Sequence, residues 1–418
     1  ALAVVLAAGP RPTAEGSLLA RRRGGTASDD AEARSLDAKC SDLADHGSYY
    51  SVRINVGTPP QAFDVVVDTG SNAVIVPSCA CVEQGLCGPE GRCFNGSGSS
   101  SLSLAPGPPL AGLVRLTFGS GPVVAVLATD VVRAAGASAV LRSGVLLLAD
   151  RSELRVEGPF GGILGLGLPS GVGFAEAARV RRFSVCFGEE GRGALQLDAP
   201  APQRALGSTG RVHWSLDFEG VSVGRASAPV AFCGPPGRGQ ARCGAIPDSG
   251  TTLLMGPANH VSSLFAELCG AWPRCRALAA DAPGRESLAF QSLLLRCEDW
   301  LTEEQGLDEL PPLFFHVAGA GGERQALRIS PWAYVFQSAW SPALARALDA
   351  AANLTGAAAP RRESACLPAV GAIDFPADGG GPGWLLGMPL FHEYVVSFDL
   401  ASRPPSVAFG AARCGGCA

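Results

Sequence analysis

The sequence predicts a predominantly β protein built around an internal repeat, and three observations predict it. Short Val-, Leu- and Phe-rich runs recur between glycines and prolines, as in LVRLTFGSG, VVAVLATDVV, SGVLLLAD, GGILGLGL, RFSVCFGEE and GALQLD. Runs of that length bounded by turn residues read as strands. Helical periodicity is sparse, with His260 to Ala271 and Ser341 to Leu354 the best cases. An Asp-Thr/Ser-Gly segment occurs once in each half, as Asp68-Thr69-Gly70-Ser71 and Asp248-Ser249-Gly250-Thr251.

Residues 1 to about 45 are rich in Ala, Arg, Gly and Asp and show no clear periodicity. Ala1 to Gly9 is apolar but too short to span a membrane, and reads as the remnant of a signal-peptide apolar region. Arg21-Arg22-Arg23 reads as a solvated charge run or a processing site. From Tyr49 the texture changes. YYSVRINVGTPPQAFDVVVDTGS alternates, breaks at Gly57-Thr58-Pro59-Pro60 and resumes, giving a strand, a turn and a buried strand. Asp68 then interrupts an apolar run, which is costly unless the carboxylate is partnered or used. Each Asp-Thr/Ser-Gly copy has a distant partner of two apolar residues and a glycine, Ile163-Leu164-Gly165 and Leu385-Leu386-Gly387.

Composition bounds the rest. The chain has 418 residues, enough for two or three domains or one large two-lobed one; at 47% hydrophobic and 17% charged it supports a sizeable core. A net charge of −5 and the lack of a basic patch argue against nucleic acid. Lys39 is the only lysine. The 14 cysteines and two glycosylation acceptors, Asn95-Gly96-Ser97 and Asn353-Leu354-Thr355, favour an oxidising compartment. Cys79, Cys81, Cys87 and Cys93 form a run that reads either as disulfides or as a zinc site. His46, His213, His260, His316 and His392 are scattered and form neither a metal nor a triad pattern. No stretch is a convincing membrane span, no nucleotide loop is present and no cofactor is expected.

Two carboxylates in one cleft cannot both ionise cheaply, so they share a proton and split the roles of acid and base. A water held between them is activated against an amide carbonyl without a covalent enzyme intermediate. In this scheme Gly70 and Gly250 let the backbone turn tightly and approach the carboxylates. Thr69 and Ser249 lock the loops together, and Ser71 and Thr251 hydrogen-bond the outer carboxylate oxygens.

Over about Tyr49 to Gly410 the chain resembles the pepsin family of aspartic endopeptidases. The resemblance rests on the entry strands and first Asp loop, FGSGPVVAVLATDVV at the flap position, FGGILGLG, RFSVCFGEEGRGALQLD, VHWSLDFEGVSVG, AIPDSGTTLLMGP and the closing LLGMPLFHEYVVSFDLASRPPSVAFG. It implies a mostly β, bilobal double β-barrel fold with the active-site cleft between the lobes. Its expected parts are a propeptide-like segment at 1–45, an N-terminal lobe at 46–205 and a C-terminal lobe at 206–418. Asp68 and Asp248 would be catalytic. Phe118, Gly119, Ser120 and Ile75 would belong to the flap and substrate site, with Leu127 and Met255 near the pocket. The resemblance also implies bridges Cys233 to Cys243 and Cys297 to Cys366. Cys269 and Cys275 could close a local loop. Cys40, Cys186, Cys414 and Cys417 would gather where the chain ends meet. The cysteine excess resembles plant and protist branches of the family.

Three positions depart from the family pattern. Phe118 stands where the flap tyrosine is usual, and Ile75 where its tryptophan partner is usual. Both polar partners are absent, so neither is left unsatisfied; a more mobile flap and lower turnover are expected. Pro247 precedes Asp248, and Gly161 replaces a common acidic residue. The function expected is aspartic endopeptidase activity on protein or peptide substrates at acidic pH. The protein would be a zymogen and a monomer of the secretory pathway, secreted or vacuolar/lysosomal. The alternative is a catalytically weak relative that binds peptides or inhibitors.

Overall fold

The computed structural model describes residues 39–88, 92–104, 112–154, 160–169, 171–188, 191–227, 229–230, 232–233, 242–281, 283–302, 305–339, 364–411 and 414–417. The described residues are mostly strands in two large sheets. A fourteen-stranded sheet holds the strands from Lys39–Asp45 to Arg192–Leu197, together with Leu206–Gly207, Val395–Asp399 and Ser406–Gly410 from later in the chain. A seven-stranded sheet runs Arg324–Ile329, Leu313–Ala318, Leu216–Val223, Gly244–Pro247, Gly383–Leu386, Leu254–Gly256, Val370–Ala372. This is the mostly β, bilobal architecture that the sequence predicted.

The sequence repeat is a structural repeat. In the first half the Gln61–Asp68 strand pairs parallel with Ile163–Gly165, which pairs antiparallel with Val74–Pro77, which pairs parallel with Val145 to Leu148. In the second half Gly244–Pro247, Gly383–Leu386, Leu254–Gly256 and Val370–Ala372 follow the same sequence of parallel, antiparallel and parallel pairings. Val67 faces Leu164 as Pro247 faces Leu386. The two apolar residues therefore lie in the strand inserted between the arms of each Asp loop, with the glycine at its end. The glycine is required by the crossing chain. A Cβ at Gly165 would lie 2.5 Å from the Asn72 carbonyl carbon, and one at Gly387 would lie 2.3 Å from the Thr251 and Leu253 carbonyl oxygens.

The unbroken apolar runs around Asp68 follow from burial on both faces. Val65 and Val67 point into the main core, and Val66 points into a second apolar cluster with Tyr49, Ile75, Leu146 and Ile163. The second half repeats the division. Ala245, Leu254 and Leu386 join the main core, while Ile246, Met255 and Leu385 form a third cluster with Leu253 and Ala369.

The expected helix at His260 to Ala271 is present as Ala258–Ala271, packed on Glu286–Leu295 through Phe265 and Phe290. The helical pattern at Ser341 to Leu354, the Asn353 acceptor, Ala1 to Gly9 and Arg21 to Arg23 lie outside the described residues. Asn95 is exposed and begins a short 3-10 turn. Lys39–Asp45 is a strand in register with Arg192–Leu197, so the last residues of the segment read as preceding the first lobe belong to the sheet.

All fourteen cysteines are paired. The bonds are Cys40–Cys417, Cys79–Cys93, Cys81–Cys87, Cys186–Cys414, Cys233–Cys243, Cys269–Cys275 and Cys297–Cys366. The zinc reading of the Cys79 to Cys93 run is thereby overturned, because its four sulfurs are spent in two disulfides and no thiolate remains to bind metal.

Candidate active site

The Gln61–Asp68 strand ends at Asp68, and Asp248 directly follows Gly244–Pro247. The turns after them bring the two Asp-Thr/Ser-Gly segments face to face in a reciprocal lock. The Thr69 amide donates to Ser249 Oγ at 3.1 Å, and the Ser249 amide donates to Thr69 Oγ1 at 3.0 Å. Each hydroxyl donates onward across the interface, Thr69 Oγ1 to the Pro247 carbonyl at 2.9 Å and Ser249 Oγ to the Val67 carbonyl at 2.7 Å. Four hydrogen bonds thus join two loops distant in the chain, all of them buried. Loss of one hydroxyl would leave a buried amide and a buried carbonyl without their partners.

The carboxyl groups are fixed in matching ways. Asp68 Oδ1 accepts from the Gly70 amide at 2.9 Å and Oδ2 from Ser71 Oγ at 2.5 Å. Asp248 Oδ1 accepts from the Gly250 amide at 3.0 Å and Oδ2 from Thr251 Oγ1 at 2.7 Å. The Asp248 carboxyl lies close enough to Asp68 to feel its charge. Both are fully buried.

Gly70 and Gly250 act here through clearance. Neither has a positive φ, so the tight turn does not itself demand glycine. A Cβ on Gly70 would sit 2.7 Å from the Asp248 carboxyl carbon, and one on Gly250 would sit 2.5 Å from Asp68 Oδ1. Each glycine leaves room for the carboxylate of the other loop.

Burial raises the Asp248 carboxyl above the ordinary value of 3.8, and the neighbouring Asp68 charge raises it further, against the Thr251 hydrogen bond that lowers it. The pair therefore retains a proton at pH values where separate carboxylates are ionised, and that proton belongs to the pair. An arrangement of this kind holds one acidic and one basic oxygen side by side.

A family model for eukaryotic aspartyl protease matches residues 49–180. Renin from Echis ocellatus is 26% identical over 373 residues, covering 84% of this chain and 77% of that protein. Napsin-A from Mus musculus is 26% identical over 385 residues, covering 87% and 77%. Pepsin A from Sus scrofa is 23% identical over 379 residues, covering 86% and 80%. The chain is similar to the pepsin-like aspartic endopeptidases, over residues 49–180 by the family model and over most of its length by these relatives.

The departures from that family's pattern have local explanations. The flap hairpin pairs Leu113–Phe118 with Gly121–Ala134, Phe118 opposite Gly121, and Gly119 and Ser120 form its tip. Phe118 and Leu127, both partly buried, pack on the cluster that contains Ile75. Ile75 is 1% exposed and Met255 2%. They support the site from beneath and do not line an open pocket, because both faces of their strands are covered. Gly119 is exposed, whereas the Ser120 hydroxyl is buried with no hydrogen-bond partner among the described residues.

Pro247 keeps the only group the lock uses there, its carbonyl. At Gly161 a Cβ would lie 1.9 Å from the Asp64 carbonyl oxygen, so the acidic residue common at this position has no room. The predicted bridges are at Cys233–Cys243, upstream of the second Asp loop, and at Cys297–Cys366.

The sequence reading missed one supporting cluster. The Asp378 carboxylate accepts from the amides of Arg211, Val212 and His213 at 2.6, 2.8 and 3.1 Å, and its Oδ1 lies 2.9 Å from His213 Nδ1. Burial would raise this carboxyl, but these donors together outweigh burial and bring it down to about 2. The adjacent Trp214 indole donates to the Leu166 carbonyl at 3.0 Å, and the Leu166 amide donates to the Asp68 carbonyl at 2.7 Å. A hydrogen-bonded path thus leads from the turn at Asp378 to the backbone of the first Asp loop. No motif announces it, since Asp378 and Arg211 are 167 residues apart.

Proposed function

We propose that the chain is an aspartic endopeptidase that hydrolyses peptide bonds in protein or peptide substrates with a water activated between Asp68 and Asp248. The observation that carries this reading is the reciprocal lock, which holds two buried carboxyls side by side, each with its own hydroxyl and amide donors. In the reaction the ionised member takes a proton from water as the water attacks the amide carbonyl. The protonated member gives its proton to the carbonyl oxygen as the C–O bond forms, so the tetrahedral diol is neutral. Collapse of the diol returns a proton to the leaving nitrogen. Ser71 and Thr251 hold the outer oxygens, so the inner ones remain for water and substrate. Thr69, Ser249, Gly70 and Gly250 keep the loops in contact. Phe118, Gly119 and Ser120 form the flap that closes over a bound peptide, with Ile75 beneath it.

The pair loses its shared proton as pH rises, so activity belongs to acidic conditions. The propeptide lies within residues 1 to about 45, whose last strand, Lys39–Asp45, pairs with Arg192–Leu197. Seven disulfides fit a secretory-pathway protein, secreted or vacuolar/lysosomal, acting as a monomer. The test is cleavage of a denatured protein over roughly pH 3–6, with inhibition by a pepstatin-like transition-state analogue. Asp68→Asn and Asp248→Asn are each expected to abolish cleavage while leaving the fold intact. Full activity in either variant overturns the assignment. Inhibitor binding by a wild-type chain that cleaves nothing would instead identify a peptide-binding relative.

A further inference from the structure

A groove of about 560 Å³ lies at one end of the large sheet, rimmed by Arg179, Arg181, Arg211 and Arg403 over an apolar floor that includes Leu168 and Leu400. Its one acidic side chain, Glu176, accepts from the Gly171 amide at 2.8 Å. The four arginines are exposed, and none forms an ion pair among the described residues. A local excess of three positive charges on a chain of net charge −5 calls for an anionic occupant.

The chain itself carries a matching segment. Ser28 to Asp37 reads SDDAEARSLD, with four carboxylates at Asp29, Asp30, Glu32 and Asp37 against one cation, Arg34. Strand register places Lys39, two residues beyond this segment, near the groove. Lys39 is opposite Leu197, Leu197 is opposite Phe183, and Arg182 is opposite Asp399, so all of these lie at one sheet end. Lys39 is two strand spacings from Phe183, about 10 Å. Lys39 Nζ is 3.2 Å from Asp198 Oδ2, and Asp198 Oδ1 accepts from the Arg181 amide at 3.5 Å. Lys39 therefore lies beside Arg181, and a ten-residue segment reaches about 30 Å when extended.

We propose that the acidic segment Ser28 to Asp37 docks in this arginine-lined groove. Guanidinium groups bind carboxylates through paired, charge-assisted hydrogen bonds. The apolar floor takes Leu36 and the neighbouring alanines, which a free inorganic anion could not supply. Tethering two residues from Lys39 gives the segment an effective concentration in the millimolar range, beyond that of most solution competitors.

Arginine footprinting of the full chain with phenylglyoxal, read by mass spectrometry, tests this, with exposed Arg225 as internal reference. Occupancy of nine-tenths would slow labelling of the four groove arginines about tenfold relative to the open groove. The variant carrying Asp29→Asn, Asp30→Asn, Glu32→Gln and Asp37→Asn is expected to restore rapid labelling at all four. In the reciprocal arm, Arg179→Gln with Arg211→Gln is expected to speed cleavage of the segment by an aspartate-specific protease several-fold. Equal labelling of wild type and the neutralised variant overturns the proposal. So does protection that appears only when inorganic phosphate is added, which would make the groove an open anion site.

Discussion

Clearance around the carboxyls decides what the Asp loops tolerate, and it is set atom by atom. A methyl group at Gly70 would overlap the Asp248 carboxyl, and one at Gly250 the Asp68 carboxyl, so each loop would be pushed from the other. A displacement near 1 Å costs on the order of 100-fold in rate when reacting groups must align. Gly70→Ala and Gly250→Ala are therefore expected to lower kcat/KM by about that factor or more. Neither glycine has a positive φ, so circular dichroism should stay native; wild-type kinetics in either variant would refute clearance as their role. The pair also links stability to pH. Because Asp248 is raised above 3.8 in the fold, the folded state binds more protons than the unfolded state between the unfolded value and the raised folded one. Its contribution is complete below the unfolded value and is lost as pH rises through the folded one. The melting temperature should therefore fall from weakly acidic toward neutral pH, and Asp248→Asn should flatten that fall. Parallel wild-type and variant curves would count against a shared proton. Asp378 runs the opposite way, stabilising above its ordinary value and losing that contribution only as pH falls toward about 2, so the path to the first loop persists in acid.

At the scale of elements, the flap shows which features can be read from a linear sequence. The hairpin is legible because Phe118-Gly119-Ser120-Gly121 breaks two alternating runs, and alternation with a glycine turn specifies a hairpin whatever surrounds it. The burial of Ile75 and Met255 is not legible, because it depends on elements far along the chain that cover the second face of their strands. The pairing of the Asp68 and Asp248 loops is legible for the converse reason, since the same short motif occurs twice with matching apolar partners downstream. The flap's hold on its lobe is apolar, through Phe118 and Leu127 on the Ile75 cluster, and the Ser120 hydroxyl adds no hydrogen bond among the described residues. Apolar contact lacks the directional restraint of a hydrogen bond, so the hairpin should open more readily than one pinned by a tyrosine. Amides of Leu113–Phe118 are expected to exchange faster than those of the matching hairpin in pepsin A, with lower turnover. Equal protection in the two proteins would refute the apolar pin as a weaker one.

For the whole molecule, the question is what keeps two halves, each supplying one carboxyl, in fixed relation. The Asp-loop lock joins them with four buried hydrogen bonds, and the large sheet joins them again, since Val395–Asp399 pairs with Arg182–Phe187. Two disulfides then fasten the chain end to that sheet. Cys40–Cys417 spans 377 residues and Cys186–Cys414 spans 228, and the Cys417 amide also donates to Asp42 Oδ1 at 2.7 Å. The grouping of these four cysteines was readable from the family resemblance; their pairing was not, since it depends on where the tail meets two adjacent hairpins. Bridges closing such long loops restrict the unfolded chain strongly, although the gain rises only with the logarithm of loop length. Removing one by Cys186→Ser with Cys414→Ser should lower unfolding free energy by about 2–5 kcal/mol, read as a shift in denaturation midpoint. A protease nick between Leu197 and Leu206 should leave both halves in one band on a non-reducing gel and separate them on a reducing one. Separation without reductant would show that the tail bridges do not form, and the halves would then depend on the sheet and the Asp-loop lock alone.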